Sequence, residues 1–241
     1  MLCLVPATAY HPRMAFDGFP KEAVTFLKEL RAHNDREWFA EHKPRYEELI
    51  REPGLAFVRA MEKPLAKISP FYVAEPKKSG GSLLRIYRDI RFSKDKTPFK
   101  THLAVRFRHE IGRDNPCPDL YYHLSPDESF LGGGMWQPPR EPLLAIREAI
   151  AATPTEWRKA TTGKRFDRHW TMWDDSLTRP PQGFDKEHPA IEELKRKSFA
   201  AKCELDRDVW FSRDLIDASI ERFRTLRPML AFLGDAVGTP V

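Results

Sequence analysis

The stretch Leu103-Ala-Val-Arg-Phe107, followed by Leu120-Tyr-Tyr-His-Leu124, decides the fold. In each, large apolar residues take every second place, and Ala, Arg, Tyr or His fills the gaps. Only an extended chain sends successive side chains to opposite faces, so a period of two reads as half-buried strand. The same period runs from Ser82 to Trp136: Ile86, Ile90 and Phe92 share one parity, and Phe130-Leu131 opens a fourth apolar run. The connections at Gly112–Pro118 and at Pro126-Asp127 are short. They predict four antiparallel strands with one apolar face and one mostly polar face.

Helical periodicity surrounds this run. From Lys21 to Leu30, residues Ala23, Val24, Phe26, Leu27 and Leu30 form one apolar stripe. Asn34 with Glu37 reads as a capping box opening a second helix that carries Trp38, Phe39, Tyr46, Leu49 and Ile50. Pro53 reads as the start of a third, with Leu55, Phe57, Val58, Met61 and Leu65 inside. Trp38 and Phe39 suit either a ligand wall or core packing, and core packing is the reading taken. Beyond the strands, Leu143, Leu144, Ile146 and Ile150 mark a helix, and residues 153–184 read as mixed and irregular. A helix over 188–199, a short strand over 202–210 and a last helix over 212–233 complete the chain. Helices segregated on either side of a strand run predict an α+β fold: a curved antiparallel sheet of about four or five strands, flanked by N-terminal and C-terminal helices.

The chain has 241 residues, which suits a single α+β domain over 16–241 behind a flexible N-terminal extension over 1–15. Met14 competes with Met1 as the natural start. The apolar run near the N-terminus lacks a basic leader and is broken by Pro6, so no secretory signal is expected. No stretch approaches the roughly 20 apolar residues of a membrane span. Cys3, Cys117 and Cys203 stand far apart without a CxxC pair, which excludes a cysteine zinc site and points to a reducing, cytoplasmic setting.

Charge singles out one block. Between Leu83 and Glu110 lie eight Lys or Arg against three acids, a surplus equal to the +5 of the whole chain. Its densest part is Arg85-Ile-Tyr-Arg88-Asp89-Ile-Arg91-Phe92-Ser-Lys94-Asp95-Lys96-Thr97-Pro98-Phe99-Lys100-Thr101-His102. Read as a strand to Phe92, it places Arg85, Tyr87, Asp89 and Arg91 on one face, with Asp89 between the two arginines. Two accounts fit. In one, Asp89 accepts from both guanidinium groups and the ladder is a structural ion network, so that the chain is a non-catalytic interaction module. In the other, one carboxylate leaves a surplus of donors, and Arg85, Arg88 and Arg91 with Lys96 and Lys100 hold a phosphate or carboxylate.

The run from Arg85 to Phe99 resembles the hallmark motif of the domain of unknown function 2461 family: R-x-x-R-D-x-R-F, then Asp or Asn with Lys, then an aromatic residue. Arg85, Arg88, Asp89, Arg91 and Phe92 stand in their places, Asp95 and Lys96 fall at or next to the Asp/Asn and Lys positions, and Phe99 replaces the family's Tyr. Phe16-x-Gly18, Asn34-x-x-Glu37-Trp38-Phe39, Tyr121-Tyr122, Gly133-Gly134 and Ile146-Arg147 are also similar. The resemblance covers about 16–235; it implies a length and a fold and carries no activity.

The remaining candidates are sparser. His102 and His123 fall on consecutive predicted strands and, with Asp89, supply the candidate acid–base groups. No HxH or HExxH pattern is present, so neither a metal nor another cofactor is indicated. His109 fits a surface strand equally well. Gly132-Gly133-Gly134 suits either an anion nest or a bulge, and Tyr121, Tyr122 and Trp136 suit either ring stacking or packing. Asp174-Asp175 between tryptophans suits either Mg²⁺ or a helix cap. The expectation is a concave pocket of Arg85, Arg88, Asp89, Arg91, Asp95, Lys96, Lys100, Tyr122 and Trp136 for a phosphate-bearing small molecule or nucleic acid. Hydrolase or transferase chemistry is compatible with it.

Overall fold

The computed structural model describes residues 15–112 and 115–241. The expected N-terminal extension, with Met1, Cys3 and Met14, lies outside the described residues apart from Ala15. Six strands make one antiparallel sheet in the order β1 (Tyr72–Val73), β2 (Leu103–His109), β3 (Asp119–Leu124), β4 (Ser129–Met135), β6 (Phe199–Glu204) and β5 (Thr171–Met172). Helices α1 (Glu22–Ala32), α2 (Arg36–Glu41), α3 (Lys43–Tyr46) and α4 (Glu52–Met61) precede the sheet. Then α5 (Arg140–Ala152), α6 (Pro154–Thr161) and α7 (Lys164–Asp167) separate β4 from β5, α8 (Ile191–Leu194) precedes β6, and α9 (Asp214–Ala236) follows it. The α+β reading holds, with six strands where four or five were expected. None of the helices is long and apolar enough to cross a membrane, among the described residues.

Alternation builds the core. Leu103, Val105, Phe107, Leu120, Tyr122, Leu124 and Leu131 project from one face into a cluster with Phe57 of α4 and Phe223 and Leu226 of α9. Phe57 sits 6.2 Å from Phe107 and 4.9 Å from Tyr122, ring centre to ring centre, and Phe223 lies 5.6 Å from Tyr122. Leu103, Val105, Phe107 and Tyr122 are each no more than 2% exposed, so each contributes roughly 1.5–3 kcal/mol of apolar burial. The buried Tyr122 hydroxyl donates to Ser219 Oγ at 2.9 Å, which satisfies the one polar atom there.

The glycine triplet lies inside β4, paired with β3 and β6 on its two sides. It is therefore no anion nest. A side chain on Gly133 would collide with Leu226 of α9, and Gly134, at φ +117°, would drive one into the Phe199 carbonyl oxygen. These glycines let α9 approach β4.

The structure corrects four expectations. Arg85–Phe92 is not a strand; Ile86 is buried, whereas Phe92 is 96% exposed. The outer edge of β2 takes β1 at one end and only residues 82–84 at the other, through Leu84 N to Ala104 O (2.9 Å) and Arg106 N to Ser82 O (2.8 Å). The chain then leaves the sheet as a hairpin, closed by Lys100 N to Ile86 O (2.7 Å) and Arg88 N to Pro98 O (2.9 Å).

Second, the helix expected over 188–199 shrinks to α8. Lys195 O and Lys197 N bond Leu177 N and Asp175 O, which draws the chain into extended form before β6. Accordingly β6 begins and ends earlier than the strand expected over 202–210. Third, the single second helix divides into α2 and α3, whereas Pro53 stands in the first turn of α4, as expected. A π turn over Glu47–Arg51 joins α3 to α4, and this wider turn accommodates the proline's missing N–H. Fourth, the cap of α2 is Asp35, which accepts from Trp38 N at 2.9 Å, and Asn34 is left for another task.

Gly134→Ala is expected to destabilise the fold by about 2 kcal/mol or more, through positive-φ strain and collision. Gly132→Ala, whose added methyl would meet Tyr121 at 3.4 Å, an ordinary contact, should change stability far less. Urea denaturation of the two variants, compared at fixed pH, checks the difference.

Candidate functional site

Asn34 holds the base of the basic hairpin. Its Nδ2 donates to Phe99 O and its Oδ1 accepts from Phe99 N, both at 3.0 Å, so one side chain satisfies a whole peptide position. The Phe99 ring, 2% exposed, stacks on Phe39 with centres 4.1 Å apart. The aromatic that stands in place of the family's Tyr thus packs in the core. The two segments singled out separately in the sequence, Asn34–Phe39 and Arg85–Phe99, meet here.

Within the hairpin most charges are spent locally. Arg88 pairs with Asp95, bonds the Thr97 hydroxyl and reaches Ser93 Oγ at 3.4 Å. Asp95 also accepts from Thr97 N at 2.9 Å, and Lys96 donates to Ile90 O at 3.0 Å. Asp89 takes Nε and Nη2 of Arg91 at 2.9 and 2.7 Å. The Arg91 hydrogen bond holds the Asp89 carboxyl at about 2, and the Thr97 amide with Arg88 does the same for Asp95. The expected Arg85–Asp89–Arg91 ladder does not form, because without strand geometry Asp89 closes on Arg91 alone. Such an exposed pair contributes little stability. Arg88 faces the interior of the hairpin, not the apolar side of a strand.

Three cations are left over among the described residues: Lys94, exposed on the loop, and the pair Arg85 and Lys100. Arg85 and Lys100 have neither an ion-pair nor a hydrogen-bond partner among the described residues. The Lys100 amine is pulled below its ordinary value by burial first and by the Arg85 charge second. His102 follows on the same parity, and its ring lies 4.5 Å from that of His123 on β3. Burial brings both imidazoles down to about 4, with added repulsion from Lys100 on His102 and from His102 on His123. His123 Nδ1 is 3.1 Å from the Tyr121 hydroxyl, whose pKa burial raises to about 12.

Aromatic rings continue from this cationic end across the second face of the sheet. His123 stacks on Phe130 at 4.8 Å, Phe130 meets Trp173 at 5.9 Å, and Trp173 meets Trp136 edge-on at 4.6 Å. Lys202 lies 6.0 Å above Trp173. Arg106 is occupied by Asp119, to which its Nε donates at 2.6 Å.

Of the expected site residues, Arg85, Lys100, His102 and His123 come together, and Trp136, 51% exposed, sits at the far end of the aromatic row. Tyr122 does not belong: it is fully buried on the core face, and its neighbour Tyr121 faces the site. His109 is 5% exposed, with Nε2 at 2.9 Å from Pro240 O, and is no surface residue. Asp175 is paired with Lys197 at 2.9 Å. Among the described residues no three His, Cys, Asp or Glu groups converge as metal ligands do. Phe130 and Lys202 were missed. Phe130 was read as the start of an apolar run, although its parity is opposite to that of Leu131.

A family model described as a conserved hypothetical protein (DUF2461) matches residues 22–232. The chain belongs to that family. No curated protein and no solved structure matches it. In this DUF2461 chain the family motif divides into a self-paired part, Arg88, Asp89, Arg91 and Asp95, and an unpaired part, Arg85, beside Lys100.

The depressed histidines set a pH dependence. Their folded pKa lies below the unfolded value of about 6.5, so folding favours the neutral form. Their contribution is complete above about pH 6.5 and is lost as pH falls toward 4. Asp89 and Asp95, held at about 2, act only in a lower window. A His102→Gln/His123→Phe variant is therefore expected to lose less of its melting temperature between pH 7 and pH 4.5 than the parent. Thermal scans across that range check it.

Proposed function

We propose that the chain binds a phosphate-bearing ligand with a ring system, a nucleotide or a nucleic acid, on the second face of the sheet. The observation that carries this reading is the pair Arg85 and Lys100, neither held in an ion pair by a carboxylate among the described residues, and set at one end of a row of aromatic rings. An arginine offers a planar fork of donors to phosphate oxygens, and a lysine adds a point charge. The exposed ring of Trp136 at the end of the row supplies a face for a base, and aromatic rings beside cations are a combination that single-stranded nucleic acid binders use.

Recognition is favoured over catalysis. A carboxylate held at about 2 and imidazoles at about 4 are poor proton acceptors at neutral pH, where an effective general base needs a pKa near the working pH. The thiol of Cys203 is driven up to about 11 by burial and is no activated nucleophile. A bound phosphate would raise both imidazoles. The structural-network alternative applies to Arg88, Asp89, Arg91 and Asp95, whose charges are consumed by each other.

Thermal shift and calorimetry with inorganic phosphate, ADP and short oligonucleotides test the proposal. Arg85→Ala and Lys100→Ala are expected to keep the melting temperature of the unliganded protein within a few degrees and to weaken binding roughly ten- to hundredfold, the worth of a charged hydrogen bond. Arg91→Ala should leave affinity nearly unchanged. The proposal fails if no phosphate compound binds, or if the Arg85 and Lys100 variants bind like the parent.

A further inference from the structure

A groove of about 650 Å³ lies between α6–α7 and α9, formed by residues remote from the site above. Lys159, Lys164, Arg165, Arg224 and Arg227 line it against one acid, Glu221, and that carboxylate is paired with Arg222 at 3.2 Å. Lys159 is engaged by Glu156 at 2.8 Å. Lys164, Arg165, Arg224 and Arg227 have neither an ion-pair nor a hydrogen-bond partner among the described residues. Arg224 and Arg227 stand three residues apart on α9, so one turn of helix presents both on the same side. Their neighbours Phe223 and Leu226 are fully buried, which keeps that turn rigid. Lys164 and Arg165 reach the groove from the other wall, just after Gly163, whose φ of +103° bends the chain out of α6. On that wall Asp167 accepts from Gly163 N at 2.9 Å and so closes the turn.

Four unpaired cations facing one another across a cleft repel, and only an anion with several charged groups relieves all of them. The exposed ring of Pro228, with the edges of the buried Ala160 and Phe166 beneath, gives the groove an apolar lining that suits sugar rings better than hydrated inorganic ions. A bilayer surface is too flat to enter a cleft, whereas a flexible chain of phosphates follows it. We infer that this groove is a docking site for the sugar–phosphate backbone of a single-stranded nucleic acid, separate from the Arg85–Lys100 site.

The probe is a short fluorescein-labelled single-stranded RNA or DNA of mixed sequence, titrated by fluorescence anisotropy at several salt concentrations. Arg224→Glu/Arg227→Glu changes two exposed side chains, and an unchanged thermal midpoint verifies its fold. It should weaken binding about tenfold or more and reduce the slope of log affinity against log salt by about 1.4, since each phosphate contact on a single strand contributes about 0.7. Lys164→Ala/Arg165→Ala should act in the same direction. Photo-crosslinks should fall in 159–168 and 222–228, and they should persist in Arg85→Ala/Lys100→Ala. Parental affinity in the charge-reversed protein, crosslinks confined to other segments, equal affinity for duplex, or tripolyphosphate binding without oligonucleotide binding would each overturn the inference. If nucleotides still bind at Arg85 in that case, the function proposed above stands and only the groove is lost.

Discussion

Close approach of α9 to β4 is the constraint on which the rest of the architecture depends. Gly133 and Gly134 leave no side chain between strand and helix, so Leu226 and Met229 lie directly on the sheet backbone. That contact draws Phe223 onto Tyr122, while Phe57 of α4 covers the same ring from another side. One face of β2, β3 and β4 is thereby committed to the core. Strand geometry then obliges every intervening residue, Arg106, Tyr121, His123 and Phe130 among them, to face the other way. The chemistry of the second face is a by-product of how the first is buried.

Asn34 supplies the link between this frame and the basic hairpin. A single amide side chain satisfies both backbone groups of Phe99, and the Phe39–Phe99 stack seals the joint. Removing this half-buried amide would leave both backbone groups of Phe99 without their partner. The hairpin therefore leaves the sheet from a rigid base, and Lys100 and His102 emerge from that base toward His123. The self-paired charges at the tip, Arg88 with Asp95 and Asp89 with Arg91, organise the loop and leave Arg85 out.

The division of the motif could not be read from the chain because strand parity was the wrong ruler for it. Alternation is informative only where a sheet continues, and beside β1 the edge of β2 has room for residues 82–84 alone. Past that point Ile86 turns inward, Phe92 outward, and Asp89 pairs with its near neighbour. The same limit applied to Asn34, whose spacing to Glu37 is that of a cap, although a distant backbone engages its side chain more completely. The groove of Arg165 and Arg224 was invisible for a simpler reason. Its cations come from segments some sixty residues apart, and each segment alone is unremarkable in a chain with 40 basic residues.

Local rules were enough for the parts that local physics controls. The alternation of Leu103–Phe107 and Leu120–Leu124, the helical stripes of α1, α4, α5 and α9, and the antiparallel α+β class all follow from burying one face of each element. The concentration of positive charge between Arg85 and His102 is equally a property of the sequence. Which of those charges stay unpaired was decided only by tertiary structure. So were the choice of Tyr121 over Tyr122 at the surface and the pairing of His102 with His123. Compensation of a charge depends on what approaches it in space, and burial of a ring depends on which face the helices cover.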